Sequence, residues 1–216
     1  LWTDYNISYK HSSKWTFGGD IGYRTRFNTD LYTTLIRPKT QYILSKRFNF
    51  FTTLAYFNTQ KLRTSSHEVR PAQQMNFQWP DLGKLGKIYH SLRFEERMIS
   101  EEKSTFFKNV QTRGRYKLNY TSSNFSLLKM KSKPLYTTVN MEIFSPIDKN
   151  LTDLMINNYR FVVGIGHKIS TNFKYQIDYI RQGSSFLENN WFNVVEDIVR
   201  LRFYQTITPK NYTLYR

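Results

Sequence analysis

Arginine and glutamate recur two residues apart in this chain: Glu68-Val69-Arg70, Arg93-Phe94-Glu95-Glu96-Arg97, Arg113-Gly114-Arg115-Tyr116-Lys117 and Arg200-Leu201-Arg202. On an extended strand that spacing puts side chains on one face, about 7 Å apart. Gln74, Glu142 and Arg160 share the polar register of their own segments. The set is therefore Glu68, Arg70, Gln74, Arg93, Glu95, Arg97, Arg113, Arg115, Lys117, Glu142, Arg160, Arg200 and Arg202. Its chemistry is ion pairing, because a planar guanidinium forks onto a carboxylate through two bonds. Enclosed together, these groups would form a polar network that fills and braces a narrow lumen. Left open, they would line a cationic passage that prefers anions. Glu95 lies between Arg93 and Arg97, and a hairpin through 99–105 would set Arg113 and Arg115 beside it, four cations around one carboxylate. Glu68 or Glu142 would partly offset that imbalance.

Other chemistry is poorly served. His11, His67, His90 and His167 lie on separate segments, and neither a G-x-S-x-G nor an H-x-x-x-H pattern occurs. The chain has no cysteine. No catalytic, cofactor or metal site is expected, and the chain is not expected to be an enzyme. A serine–histidine pair on a barrel rim, acting on lipid, is the remaining catalytic alternative. The stretch Asp81-Leu82-Gly83-Lys84-Leu85-Gly86-Lys87 lacks phosphate-loop spacing and reads as a turn.

The elements that must position the charged rows are strands. Period-2 alternation recurs from end to end, giving about eleven candidates and no convincing amphipathic helix. Trp15, Phe17, Ile21 and Tyr23 oppose Asp20, Arg24 and Arg26. The apolar register carries Trp15, Phe17, Tyr23, Phe77, Trp79, Phe94, Tyr116, Phe161, Tyr175, Tyr179 and Phe203, expected to face lipid as interfacial girdles. Short turns, 11–14, 45–47 and 170–172, alternate with longer polar links, 59–66, 146–157 and 183–190. They follow odd-numbered candidates, so either one strand is miscounted or another precedes Leu1. The expected fold is all-β: a transmembrane, antiparallel up-and-down barrel of 10 or 12 strands over 1–208, with a tail over 209–216. Pro38 and Pro71 fall inside candidates, and each should mark a bulge or a boundary.

Composition agrees with a two-faced barrel. Aromatics make up 17% of 216 residues, yet the net charge is +16 and the mean hydropathy −0.60. No run of 18 apolar residues exists, so a transmembrane helix is excluded and a barrel is not. A soluble β-barrel is the rival fold. The basic residues are spread along the inward register rather than clustered, which argues against nucleic acid as a partner. The expected partners are outer-membrane lipid and lipopolysaccharide, the latter through Lys61, Arg63 and Lys149 near loops, with a larger outer-membrane protein machine as a further candidate.

The segments His67-Glu68-Val69-Arg70 with Gln73-Gln74, Leu92-Arg93-Phe94-Glu95-Glu96-Arg97 and Thr112-Arg113-Gly114-Arg115-Tyr116 resemble strand patterns of the DUF2490 family of bacterial envelope proteins. The resemblance continues through Asn140-Met141-Glu142-Ile143-Phe144, Asn158-Tyr159-Arg160-Phe161 and Val163-Gly164-Ile165-Gly166, and spans about Trp2 to Thr208. Ser91 stands where the family pattern has an arginine, and Pro209–Arg216 extends past the usual last strand. The resemblance implies an outer-membrane barrel and no activity. The expected role is a structural or accessory subunit beside a larger assembly or secretion complex of a Gram-negative outer membrane. A small anion-preferring pore is the alternative.

Overall fold

In the computed structural model, residues 1–26, 30–62, 64–80, 82–101, 109–125, 134–147, 158–185 and 192–209 are described. Wherever apolar and polar residues alternate, the chain forms a strand: β1 (Trp2–Lys10), β2 (Trp15–Thr25), β3 (Tyr32–Ile43), β4 (Phe48–Lys61), β5 (Thr64–Gln78), β6 (Lys87–Glu101), β7 (Asn109–Thr121), β8 (Leu135–Pro146), β9 (Asn158–Lys168), β10 (Phe173–Ser185) and β11 (Phe192–Ile207). Each pairs with its sequence neighbour, and β1 pairs with β11 to close a barrel.

Among the described residues the strands number eleven, where turn parity argued for 10 or 12. In a meander the strands alternate direction, so an odd number leaves the first and last running the same way. The closing pair is accordingly parallel, from Trp2 opposite Arg200 to Tyr9 opposite Ile207, while every other pair is antiparallel. A parallel ladder is slightly weaker per residue. Side chains lace this seam: Asp4 pairs with Arg200, the Asn6 amide donates to the Phe203 carbonyl at 3.2 Å, and the Tyr5 hydroxyl donates to Gln205.

Three tight turns share one sequence device. Ser12, Ser45 and Ser170 each stand three residues before an aromatic residue that opens the next strand. Their Oγ atoms accept the backbone N–H of Trp15 at 3.0 Å, Phe48 at 3.1 Å and Phe173 at 3.0 Å. The hydroxyl thus supplies a local partner that fixes the reversal. The expected polar link 59–66 is instead a hairpin, with Lys61 opposite Thr64 and Thr59 opposite Ser66. Polar residues extend a ladder as readily as apolar ones where both faces are wet. The 81–87 stretch holds a short 3-10 helix, Gly83–Leu85, with positive φ at Gly83 and Gly86. Much of 146–157 and 183–190, together with Arg63, Lys149 and residues 210–216 of the tail, lies outside the described residues.

Pro38 and Pro71 cause neither a bulge nor a boundary. Pairing with β4 skips positions 37 and 38 of β3, and pairing with β6 skips 70 and 71 of β5, yet the register is unchanged on either side. The N–H and C=O of a strand residue point to the same neighbour, so each proline interrupts one side only. Gly19 still faces Pro38, and Leu54 still faces Pro71. The one register shift in the β10–β11 ladder lies between Gln182 and Gly183.

The two faces differ in kind. Outward stand large apolar side chains, with Ile21 and Leu92 each 57% exposed. Inward stand the charged rows and two small apolar clusters: Trp2, Val162, Ile180 and Ile198, and Leu35, Ala55 and Phe57. Inward glycines on β9 make room for large neighbours. A Cβ at Gly164 would meet Asp178, Thr138 and Gln176, and one at Gly166 would strike the ring of Tyr136. Replacing Gly166 with alanine should therefore cost about 1–3 kcal/mol through overpacking. Adding Tyr136→Ala should recover part of that loss, as read from the temperature of heat-modifiable gel migration. Strictly additive losses in the double variant would contradict this packing.

Candidate functional site

The barrel interior is built by parity. Strands β5, β6 and β7 present Glu68, Arg70 and Gln74; Arg93, Glu95 and Arg97; and Arg113, Arg115 and Lys117 to one side of the wall. Register sets Glu95 opposite Arg113 and Arg93 opposite Arg115. Glu95 is fully buried, and Arg113 forks onto its Oε1, with Nε at 2.7 Å. Arg93 approaches Oε2 at 3.2 Å, a charge contact without an aligned hydrogen, and its Nη2 donates to Thr53 at 3.1 Å. Arg115 completes the group at 3.7 Å.

Three cations, not the four expected, surround Glu95. Arg97 turns away to Glu68, where its Nε donates at 2.7 Å, and Arg70 shares the same carboxylate with Nε at 2.8 Å. Glu142 takes up the excess on the other flank, with Lys117 at 3.2 Å, Arg160 at 3.3 Å and Arg115 at 3.4 Å. Arg200 and Arg202 lie on β11 and pair with Asp4 and Asp178, the latter at 2.6 Å. Gln74 bonds Asn76 at 2.7 Å. All thirteen residues of the sequence-derived set thus lie on the inward register: ten in three carboxylate-centred groups, Arg200 at the closing seam, Arg202 on Asp178 across β10–β11, and Gln74 on Asn76.

Stacking joins these groups into a circuit. Arg70 lies over Phe57 at 4.4 Å, and Arg24 bridges Phe57 at 5.4 Å to Trp2 at 4.3 Å. Arg160 lies between Trp2 and Phe144, 5.3 Å from each ring. Arg113 covers Phe144 at 4.7 Å and forks onto Glu95, and β6, which carries both Glu95 and Arg97, leads on to Glu68 and Arg70. β10 and β11 join through Gln182, which accepts from Arg160 at 2.8 Å, and through Arg200 on Trp2 at 5.9 Å. Leu35 of β3 packs with Phe57. A desolvated cation over an aromatic face contributes up to about 2 kcal/mol, so the circuit is a substantial brace.

Several members were missed at the sequence level. Asp4, Asp20, Arg24, Arg37 and Asp178 stand on the same polar register as the residues singled out. Parity alone would have added them, including the forked Asp20–Arg37 pair at 2.9 and 2.8 Å. Trp2, Phe57 and Phe144 point inward although aromatics were assigned to the outside. The polar face therefore contains rings, each sandwiched by guanidinium groups.

The outward set is placed as follows. Trp15, Phe17, Tyr23, Trp79, Phe94, Phe161 and Tyr179 are exposed, and Phe77, Tyr116, Tyr175 and Phe203 are half-buried by neighbours on the same face. His67, His90 and His167 also stand outside, each bonded to a tyrosine hydroxyl: Tyr56 at 2.7 Å, Tyr116 at 2.5 Å and Tyr175 at 3.2 Å. Among the described residues, no group of three His, Cys, Asp or Glu could hold a metal ion.

Replacing Glu95 with glutamine would strand three guanidinium groups in the wall. Stability should fall by about 3–5 kcal/mol, measured as the shift in urea midpoint. Glu196→Gln, which breaks a mouth pair with half-exposed Arg26, should cost less than about 1 kcal/mol. Equal losses would show that both pairs are ordinary solvated contacts.

Comparison with known proteins follows the same lines. Among curated proteins, none matches the chain. The family model described as "Protein of unknown function (DUF2490)" matches residues 1–193. That match runs from β1 into β11, through every carboxylate-centred group described above, and the chain belongs to the DUF2490 family.

Proposed function

We propose that this chain is an integral outer-membrane β-barrel whose interior serves as a brace rather than a passage, a non-catalytic structural or accessory subunit of the envelope. The observation that carries the reading is the contact path Arg70–Phe57–Arg24–Trp2–Arg160–Phe144–Arg113–Glu95, whose two ends are joined by β6 through Arg97 and Glu68. Arg160 of β9 reaches Trp2 of β1 past two intervening strands, so the link cuts across the lumen rather than following the wall. Eight strands leave an interior that side chains just fill, and the wider interior of eleven is here taken up in large part by the inward rings of Trp2, Phe57 and Phe144 and the arginines stacked on them.

The outer face supports the membrane part. On β2, β3, β4 and β10 an aliphatic centre is flanked by rings: Phe17, Ile21 and Tyr23; Tyr32, Ile36 and Tyr42; Phe48, Leu54 and Tyr56; Tyr175, Ile177 and Tyr179. From Tyr32 to Tyr42 is about 33 Å along a strand, or about 25 Å of height at a tilt near 40°. That is the height of a hydrocarbon belt between two aromatic girdles. Closure also pairs the ladder on every side, as a lipid-exposed backbone requires. A barrel that spends its interior on bracing leaves its outer surface and loops to meet partners, which suits a subunit of a larger outer-membrane machine.

The cation excess of the lumen favours a second reading, an anion-preferring pore. Planar-bilayer recording separates the two. The native barrel should show no stable conductance steps, and Trp2→Ala combined with Arg160→Ala, which removes both halves of the crossing contact, should produce them. Stable anion-selective steps from the native protein would overturn the brace.

A further inference from the structure

Inside the barrel, a cavity of about 390 Å³ is lined by nine arginines and two lysines but only two carboxylates, Asp20 and Glu142. The other mid-barrel carboxylates, Asp4, Glu68, Glu95 and Asp178, pair with arginines of this same lining, Arg200, Arg70, Arg113 and Arg202, which leaves eleven cations against six carboxylates. Cations therefore outnumber anions around an enclosed volume, where repulsion is little screened.

The excess has a focus. Arg24, Arg160 and Arg200 all pack on the ring of Trp2, at 4.3, 5.3 and 5.9 Å, and all three line the cavity. Arg160 and Arg200 hold carboxylates, Glu142 and Asp4. Arg24 holds none: its contacts among the described residues are the faces of Trp2 and Phe57, and its Nε is buried without a partner. A guanidinium withdrawn from bulk water and left without an acceptor is costly. Three of them converging on one ring, with one uncommitted, form a fork-shaped receptor for tetrahedral oxyanions.

We propose that this cavity binds a small soluble phosphorylated multianion, a diphosphate or phosphate ester, with Arg24 as the principal ligand and Arg160 and Arg200 as its neighbours around Trp2. A ligand with two or more charges offsets the excess that the fixed carboxylates leave. The phosphate groups accept hydrogen bonds from the Nη side of the Arg24 guanidinium, which no carboxylate engages. The site faces the interior and not the apolar belt, which selects a soluble anion over a lipid headgroup. The proposal goes beyond the membrane reading and does not depend on it, since it needs only the closed barrel.

The test is calorimetric titration and thermal unfolding of the purified full chain, in zwitterionic detergent at low ionic strength, with inorganic pyrophosphate as probe. Pyrophosphate should bind and raise the unfolding temperature. Arg24→Gln should weaken binding at least tenfold, whereas Lys174→Gln, which removes an inward cation stacked on Tyr136 and Tyr204 outside this lining, should leave affinity within about twofold. Short-chain phosphatidic acid should give no Arg24-dependent shift. If Arg24→Gln does not fold, Arg24→Lys carries the test, because it keeps the charge and loses the fork: affinity should fall several-fold, and an unchanged affinity overturns the proposal. No pyrophosphate binding, equal weakening by the Arg24 and Lys174 variants, or Arg24-dependent binding of the lipid alone would each overturn it as well.

Discussion

A guanidinium removed from bulk water needs a counter-charge or a ring face, and the interior of this barrel is arranged around that need. Glu95 is the clearest case. It lies wholly out of solvent on β6, and its burial is tolerable because Arg93 on its own strand and Arg113 and Arg115 on the next arrive with charge and N–H groups together. Glu68 and Glu142 repeat the arrangement on either flank. All of these pairings but Arg93–Glu95 and Arg70–Glu68 cross a strand boundary, so register errors would separate charges as well as expose apolar side chains. A slip of β6 by one residue would turn Glu95 outward together with Arg93 and leave Arg113 without its carboxylate.

The outer face follows from the same alternation. Once every second residue is committed to the charged interior, the others must meet whatever lies outside, and here they are Ile21, Ile36, Leu54, Leu92 and Ile177 between aromatic residues. A closed ladder and an apolar exterior are two consequences of one period-2 pattern. The parallel seam between β1 and β11 is the price of an odd strand number, and it is where polar side chains do most of the joining.

Much of this was legible in the sequence. The two-residue spacing of Arg93, Glu95, Arg113 and Arg115 carried the fold class, the inward register and the pairing across one hairpin. The turns at Ser12, Ser45 and Ser170 were legible as turns, although their shared Ser-x-x-aromatic form was not noticed. Closure was legible but its parallel form was not, because turn parity pointed to an even barrel, whose first and last strands would run antiparallel. Nor was the inward aim of Trp2, Phe57 and Phe144: residue type suggests an outer girdle, and only the arginines stacked on them explain rings on the polar face. The prolines misled for a related reason. Pro38 and Pro71 each remove one ladder donor toward one neighbour, and the other neighbour holds the register.

The central claim is that one register meets hydrocarbon while its neighbour meets an enclosed charged interior, and adjacent residues can report it. The chain contains no cysteine, so single cysteines at Met75, which faces outward, and Asn76, which lines the cavity, can carry spin labels without background. In lipid vesicles the label at 75 should relax strongly with dissolved oxygen and weakly with a water-soluble nickel chelate, and the label at 76 should not be oxygen-rich. A label at 75 freely reached by the nickel chelate, with the label at 76 buried in oxygen-rich lipid, would contradict the account.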